Sequence, residues 1–194
     1  MMPARVVFAW MVLALIDGAP SAAQSHDHSP RHAPPTAAAS PYAPLAGRAV
    51  KAFSDEQVAD LKAGRGMGLA LAAELNNYPG PLHVLELADG LQLSAGQRAR
   101  TQELMAAMKA ESIALGEQII AAETALDRQF AGRVVTRDSL AAATAQIGRL
   151  QGELRATHLR YHLDMAAILS SAQIGRYAEL RGYGAGGAGH HPKH

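Results

Sequence analysis

From residue 137 onward, apolar or small side chains recur at strictly alternating intervals of three and four: Leu140, Ala143, Ile147, Leu150, Leu154, Thr157 and Tyr161. That interval keeps a stripe on one face of a helix and makes a seam that a second helix can pack along. A matching stripe precedes it, with Leu104, Met108, Leu115, Ile119, Ala122, Leu126 and Phe130. These patterns predict one helix over Ala95 to Ala131, about 55 Å long at 1.5 Å per residue, and a second starting near Arg137. Gly132 to Thr136 supplies the turn between them, with Thr136 and Ser139 as polar start signals. Two long helices with facing stripes and a short connection pack antiparallel at a shallow angle. The expected fold class is therefore all-α, a long antiparallel helical hairpin with short N-terminal helices.

Three copies of one short pattern punctuate the chain: Phe53-Ser54-Asp55-Glu56-Gln57, Leu93-Ser94-Ala95-Gly96-Gln97 and Leu169-Ser170-Ser171-Ala172-Gln173. Serine followed three residues later by glutamine is a capping box, in which hydroxyl and amide each satisfy a backbone N–H that the first helical turn leaves free. The caps are thus Ser54 with Gln57, Ser94 with Gln97, and Ser170 with Gln173. Phe53 with Val58 and Leu169 with Ile174 add hydrophobic staples; the second copy has Arg98 at the staple position. The first cap starts a helix from Asp55 to Ala63 that stops at Gly64-Arg65-Gly66-Met67-Gly68. No strand precedes these glycines and no Lys-Ser/Thr follows, which excludes a phosphate loop and leaves a bend or a close backbone approach. A second short helix is expected over Leu69 to Asn76, before the turn Asn77-Tyr78-Pro79-Gly80-Pro81. A third is expected from His83 to about Gly90.

The ends read differently. Arg5, the apolar run Val6 to Ile16 and the small residues Ser21-Ala22-Ala23 form a secretory signal over 1–23, too short for a comfortable membrane span. The expected location is the periplasm, with membrane anchoring if the signal is not cleaved. Residues 24–45 make a Pro/Ala/His-rich arm and 184–194 a Gly/His tail, neither able to bury a core. The helical domain is expected over 46–183. Of the 194 residues none is cysteine, which removes disulfides and thiolate metal sites. The formal charge of +1 carries none of the basic excess of a nucleic-acid binder.

The chemistry concentrates in nine histidines. His158 and His162 are four apart and Met165 follows three later, so on a helix all three point the same way. Imidazole and thioether together suit a divalent transition metal such as Zn, Cu, Ni or Co. His83 on a short helix is a further candidate ligand. His26, His28, His32, His190, His191 and His194 are weak collecting sites on the arm and tail. The three central residues fall beside the apolar seam, at the expected edge of the packed surface, and the plain alternative is a polar helix edge without a ligand. No organic cofactor is implied. His158-Leu159-Arg160-Tyr161-His162 lacks the glutamate of a zincin helix, and no nucleophile triad or carboxylate pair stands out, so no enzyme is expected.

The paired Leu93 to Gln97 and Leu169 to Gln173 motifs, with Ser where Thr is more usual, resemble the helix starts of the LTXXQ superfamily of periplasmic proteins. That group includes Spy- and CpxP-like stress proteins and the heavy-metal resistance and sensor relatives ZraP and CnrX. The resemblance covers about Gln92 to Tyr183, while Gly64 to Pro81 has no counterpart in it. It implies a long bent hairpin that dimerises into a shallow cradle. It also implies either metal sensing or resistance, or ATP-independent chaperone activity. The implied partners are a second copy of the chain and, beyond it, unfolded clients or a membrane sensor protein. Met105 and Met108 fit the chaperone alternative, because methionine adapts to varied partners.

Overall fold

The computed structural model describes residues 40–183. The signal segment, most of the arm and the 184–194 tail, with their six histidines, lie outside the described residues. Within them the chain is all-helical, without strands. A 3-10 turn at Ala43–Gly47 is followed by α1 (Asp55–Ala63), α2 (Leu71–Glu74) and α3 (Pro81–Glu86). Then come α4 (Ala95–Ala131), α5 (Arg137–Ile168) and α6 (Ser171–Leu180).

Where a helix start is written into local side-chain chemistry, its position matches expectation. Ser54, Ser94 and Ser170 each accept from the backbone N–H three residues on, and each glutamine oxygen accepts in return. A fourth box starts α5: Thr136 Oγ1 accepts from Ser139 N–H at 3.1 Å and Ser139 Oγ from Thr136 N–H at 3.0 Å. Serine here takes the place that glutamine holds elsewhere.

The short helices depart from expectation. α2 is confined to Leu71–Glu74 and has no side-chain cap, so the Leu69 to Asn76 reading overruns it at both ends. α3 begins at Pro81 rather than His83, because proline's fixed φ and missing N–H suit the first helical position. It ends at Glu86, short of Gly90. The final residues of the expected arm enter the 3-10 turn, led by Pro44.

The glycines mark both a stop and a close approach. Gly64 closes α1 in the left-handed region at φ 64, donating back to Asp60 and Leu61. Across the interface an added Cβ at Gly64 would lie 2.9 Å from the Lys109 carbonyl oxygen of α4, and one at Gly116 on α4 would lie 2.5 Å from the Leu61 carbonyl oxygen of α1. α1 therefore crosses α4 with backbone against backbone.

α4 and α5 are the main packed pair, and they run antiparallel: Gln97 meets Ile168, Ser112 meets His158, and Ile119 packs with Leu150 and Leu154. α1 lies on α4, α2 on α5, and α3 on both. Two apolar clusters form. One joins Leu61, Ile119, Leu150 and Leu154 with Phe53 and Leu69 against it. The other joins Val84, Leu91, Met165, Leu169 and Tyr177 where α3, α5 and α6 meet. The far end of the pair is bare. Phe130 and Val134 are 53% and 68% exposed, and Leu140 is exposed as well, although Phe130 and Leu140 continue the stripes. The covering helices reach only the other end, so the same pattern buries its side chains at one end and leaves them in solvent at the other.

Two capping glutamines also act between helices. Gln97 Nε2 donates to Gln173 Oε1 at 2.9 Å and Gln173 Nε2 donates to Gln97 Oε1 at 3.0 Å. The remaining amide hydrogens go to the carbonyls of Ile168 and Leu91, at 3.0 and 3.2 Å. One reciprocal amide pair thus joins the start of α4, the end of α5 and the start of α6. Gln57, by contrast, makes only its own cap. Chemical denaturation should separate the two roles: Gln97→Ala should cost about 2–3 kcal/mol, the loss of a cap plus stranded part-buried amide and carbonyl groups, against roughly 1 kcal/mol or less for Gln57→Ala. Equal losses would show that the cross-helix bonds add nothing.

Candidate metal centre

His158 and His162 are not at a helix edge. They are buried, at 3% and 8% exposure, beneath chain segments whose path the seam pattern does not predict. α4 covers His158 with Ser112, whose Oγ lies 3.3 Å from Nε2. The opposite side of the ring faces Gly66, where an added Cβ would stand 3.9 Å from Nδ1. His162 is held by the turn before α3. Its Nδ1–H donates to the Tyr78 carbonyl at 2.6 Å, which leaves Nε2 as the unprotonated nitrogen of the neutral ring. Gly80 makes room for that ring, since a Cβ there would fall 2.9 Å from Nε2 and Cε1. Asn77, at φ 65, takes the left-handed conformation that this turn needs.

The two histidines open onto a cleft of about 310 Å³, whose wall also contains His83, Met108 and Glu74. His83 is partly exposed, with Nδ1 2.9 Å from Glu86 Oε2. Met165, read from sequence as a third ligand, is fully buried in the apolar cluster with Val84, Leu91, Leu169 and Tyr177. It does not line the cleft. The methionines that do are Met67, before α2, and Met108, from α4.

Glu74 is the site residue that the spacing argument missed. No motif marks it, and it reaches the cleft only because α2 packs on α5. It is 6% exposed, with Oε1 accepting from Tyr177 Oη at 2.5 Å and Tyr183 Oη at 3.1 Å. Arg181 Nε stands 3.4 Å from the same oxygen. The other oxygen, Oε2, has no hydrogen-bond partner and lies 3.8 Å from His162 Nδ1. The Tyr177 hydroxyl is driven well above the ordinary phenol range by its burial and by its bond to the Glu74 carboxylate, so it remains a proton donor.

Each imidazole therefore has one ring nitrogen engaged: by the Glu86 carboxylate at His83, the Ser112 hydroxyl at His158 and the Tyr78 carbonyl at His162. Such partners fix tautomer and ring orientation in metal-binding histidines. The donors line one cleft without converging: among the described residues, no three His, Asp or Glu side chains are grouped closely enough to hold an ion. No described helix is long and apolar enough to cross a membrane. The chain matches no protein-family model, no curated protein and no solved structure.

Burial, and secondarily the charge of His162, lowers the pKa of His158 below its ordinary value. The folded protein then binds fewer protons at this site than the unfolded chain, so its stability rises with pH. The contribution is complete above the unfolded value of about 6.5. It is lost progressively as pH falls from there to the lower folded pKa, below which both states are protonated. Thermal unfolding between pH 8 and 5 should show a declining Tm below about pH 6.5, with a shallower decline in His158→Gln. An undiminished slope in that variant would assign the acid sensitivity to other groups.

Proposed function

We propose that this cleft binds a divalent transition metal (zinc, copper, nickel or cobalt) and that the protein is an exported, non-enzymatic metal-binding protein of heavy-metal sensing or resistance. The observation that carries the proposal is the set of three imidazoles on one cleft, each with one nitrogen occupied by a hydrogen-bond partner. Neutral, oriented imidazoles are suitable donors to borderline metals. The resemblance of the Leu93 and Leu169 motifs to LTXXQ proteins supports the same reading, as does the N-terminal export signature. In this reading α4 and α5 are the Spy/CpxP-like hairpin, and α1 to α3 are the added elements that bring His83 to it.

The test is zinc titration of the full-length chain carrying alanine at His26, His28, His32, His190, His191 and His194, which removes adventitious binding by the ends. Combined His158→Ala and His162→Ala should weaken zinc affinity at least tenfold, or about 1.4 kcal/mol. A change under threefold would reduce the pair to packing residues.

A second reading, ATP-independent chaperone or envelope-stress protein, is favoured by one observation. Leu71, Leu75, Tyr78 and Leu82 are all 42–58% exposed in the segment from α2 to α3. Apolar side chains gathered in this way mark protein–protein contact, and they suit an unfolded client, a membrane sensor protein or a second copy of the chain in a homodimer. Suppression of client aggregation without ATP should fall when Leu75 and Tyr78, whose side chains do not line the cleft, are changed together to Ser, with zinc affinity retained. Unchanged suppression would remove this surface from the chaperone reading.

A further inference from the structure

One imidazole nitrogen of the cleft has no partner. His162 donates from Nδ1 to the Tyr78 carbonyl at 2.6 Å, so Nε2 of the neutral ring carries a lone pair and can only accept. No described group donates to it. Among the described residues, however, Glu74 Oε2 is the one side-chain polar atom that is both unpartnered and sealed from solvent. Nε2 is therefore accessible, and the space beside His162 is the cleft of about 310 Å³. Gly80 keeps the nitrogen uncovered, since a Cβ at that position would lie 2.9 Å from Nε2. The residue as a whole is buried. An acceptor held in one orientation thus stands in the wall of a small opening, where an unmade hydrogen bond costs more than it would in open solvent.

Most of the remaining wall is apolar: Met67, Ala70, Leu71, Leu82 and Met108 all line the cleft. Apolar walls with a few placed polar groups are the usual form of a small-molecule site. An apolar cavity of about 150 Å³ accepts benzene, so this cleft has room for one substituted ring. Its two methionines favour an aromatic occupant, because a thioether sulfur makes attractive contacts at a ring edge. Met67 is brought there at a cost, since its φ of 44 is a left-handed conformation that methionine seldom adopts. The charged groups of the wall are already matched. Arg181 Nε stands 3.4 Å from the Glu74 carboxylate and His83 Nδ1 2.9 Å from Glu86 Oε2. Burial holds the pKa of His158 down, so its ring is neutral at pH 7. An ionised ligand would find no uncommitted opposite charge among the described residues of this wall.

We propose that the cleft binds a small neutral phenol, its ring against the Met67 and Met108 side chains and its hydroxyl donating to His162 Nε2. A phenolic O–H is a stronger donor than an aliphatic one and is attached directly to the ring, so one compact group meets both the apolar wall and the acceptor. A carboxylate has no proton to give to this nitrogen, and an alkylated oxygen has none either. The inference does not rest on the metal reading. It needs the Nε2 lone pair free, so a metal ion on that nitrogen and the phenol exclude one another.

The experiment titrates the full-length chain, freed of metal by chelator, with para-cresol, para-methylanisole and para-toluate, and follows the histidine side-chain ¹⁵N resonances. Para-cresol should bind at millimolar concentration, at least tenfold tighter than the methyl ether, which keeps the ring but lacks the donor, and than the carboxylate. The Nε2 resonance of His162 should move upfield with para-cresol, as an unprotonated ring nitrogen does on accepting a hydrogen bond. In His162→Phe, with circular dichroism to check helicity, the preference for para-cresol over para-methylanisole should fall below threefold. Absence of para-cresol binding at millimolar concentration overturns the proposal, as does affinity for either of the other compounds within threefold of para-cresol. A His162 Nε2 resonance that stays in place at saturation overturns it even if His162→Phe fails to fold. A folded His162→Phe that keeps the tenfold preference overturns it as well.

Discussion

The reciprocal amide pair of Gln97 and Gln173 is the point on which the geometry of this protein depends. Each glutamine first closes its own helix cap, which fixes the amide in place and lowers the entropic cost of the bonds between helices. The pair then ties α4, α5 and α6 together at the end where α5 stops. Ile168 and Leu91, whose carbonyls take the remaining hydrogens, belong to the adjoining apolar region, so these polar bonds border a dry cluster rather than open solvent. With α6 anchored at its first turn, Tyr177 is delivered to Glu74 across more than a hundred residues of chain separation. The orientation of a cleft residue thus traces back to a helix cap.

A second constraint is size. α5 carries a polar stripe, Thr157, His158 and His162, that is buried almost as fully as its leucines. It is tolerated because neighbouring chain comes close enough to supply partners. Gly80 allows the approach at His162, and Ser112 and Tyr78 provide the bonds. A larger residue at Gly80 would push the covering turn away and leave the His162 imidazole without its Tyr78 partner. Among the described residues, Glu74 Oε2 is the one buried side-chain polar atom that this packing leaves without a partner.

The packing is also uneven along the hairpin axis. The base is covered by α1, α2, α3 and α6, whereas the turn end leaves Phe130, Val134 and Leu140 in solvent. The buried histidines His158 and His162 sit in the covered half, where neighbouring segments hydrogen-bond and orient them. Exposed apolar surface occurs at the turn end and again along α2 and α3. The turn-end surface is apart from the cleft, whereas Leu71 of α2 and Leu82 of α3 belong to the cleft wall.

What the sequence determined by itself was whatever is encoded within a few residues or within a helical repeat. Capping boxes are local, so the bounds of α1 and α4 and the start of α5 and α6 are legible, and the alternating three-and-four stripe announces two long helices and their partnership. The His158–His162 spacing puts both rings on one helix face for the same reason, and that face lines the cleft. Tertiary structure decided everything that depends on which segment covers which. α2 and α3 have no side-chain caps, so their limits follow from packing and from Pro81. Met165 and His162 lie on neighbouring turns of one face, yet the cluster formed by α3 and α6 seals one while the cleft wall keeps the other. Glu74 carries no signal at all: an isolated glutamate on a four-residue helix reads as solvent-facing. Only the arrival of Tyr177, Tyr183 and Arg181 from the far end of the chain encloses it and holds its Oε1. Local chemistry sets where helices begin, but desolvation and the partners that offset it are properties of the assembled fold.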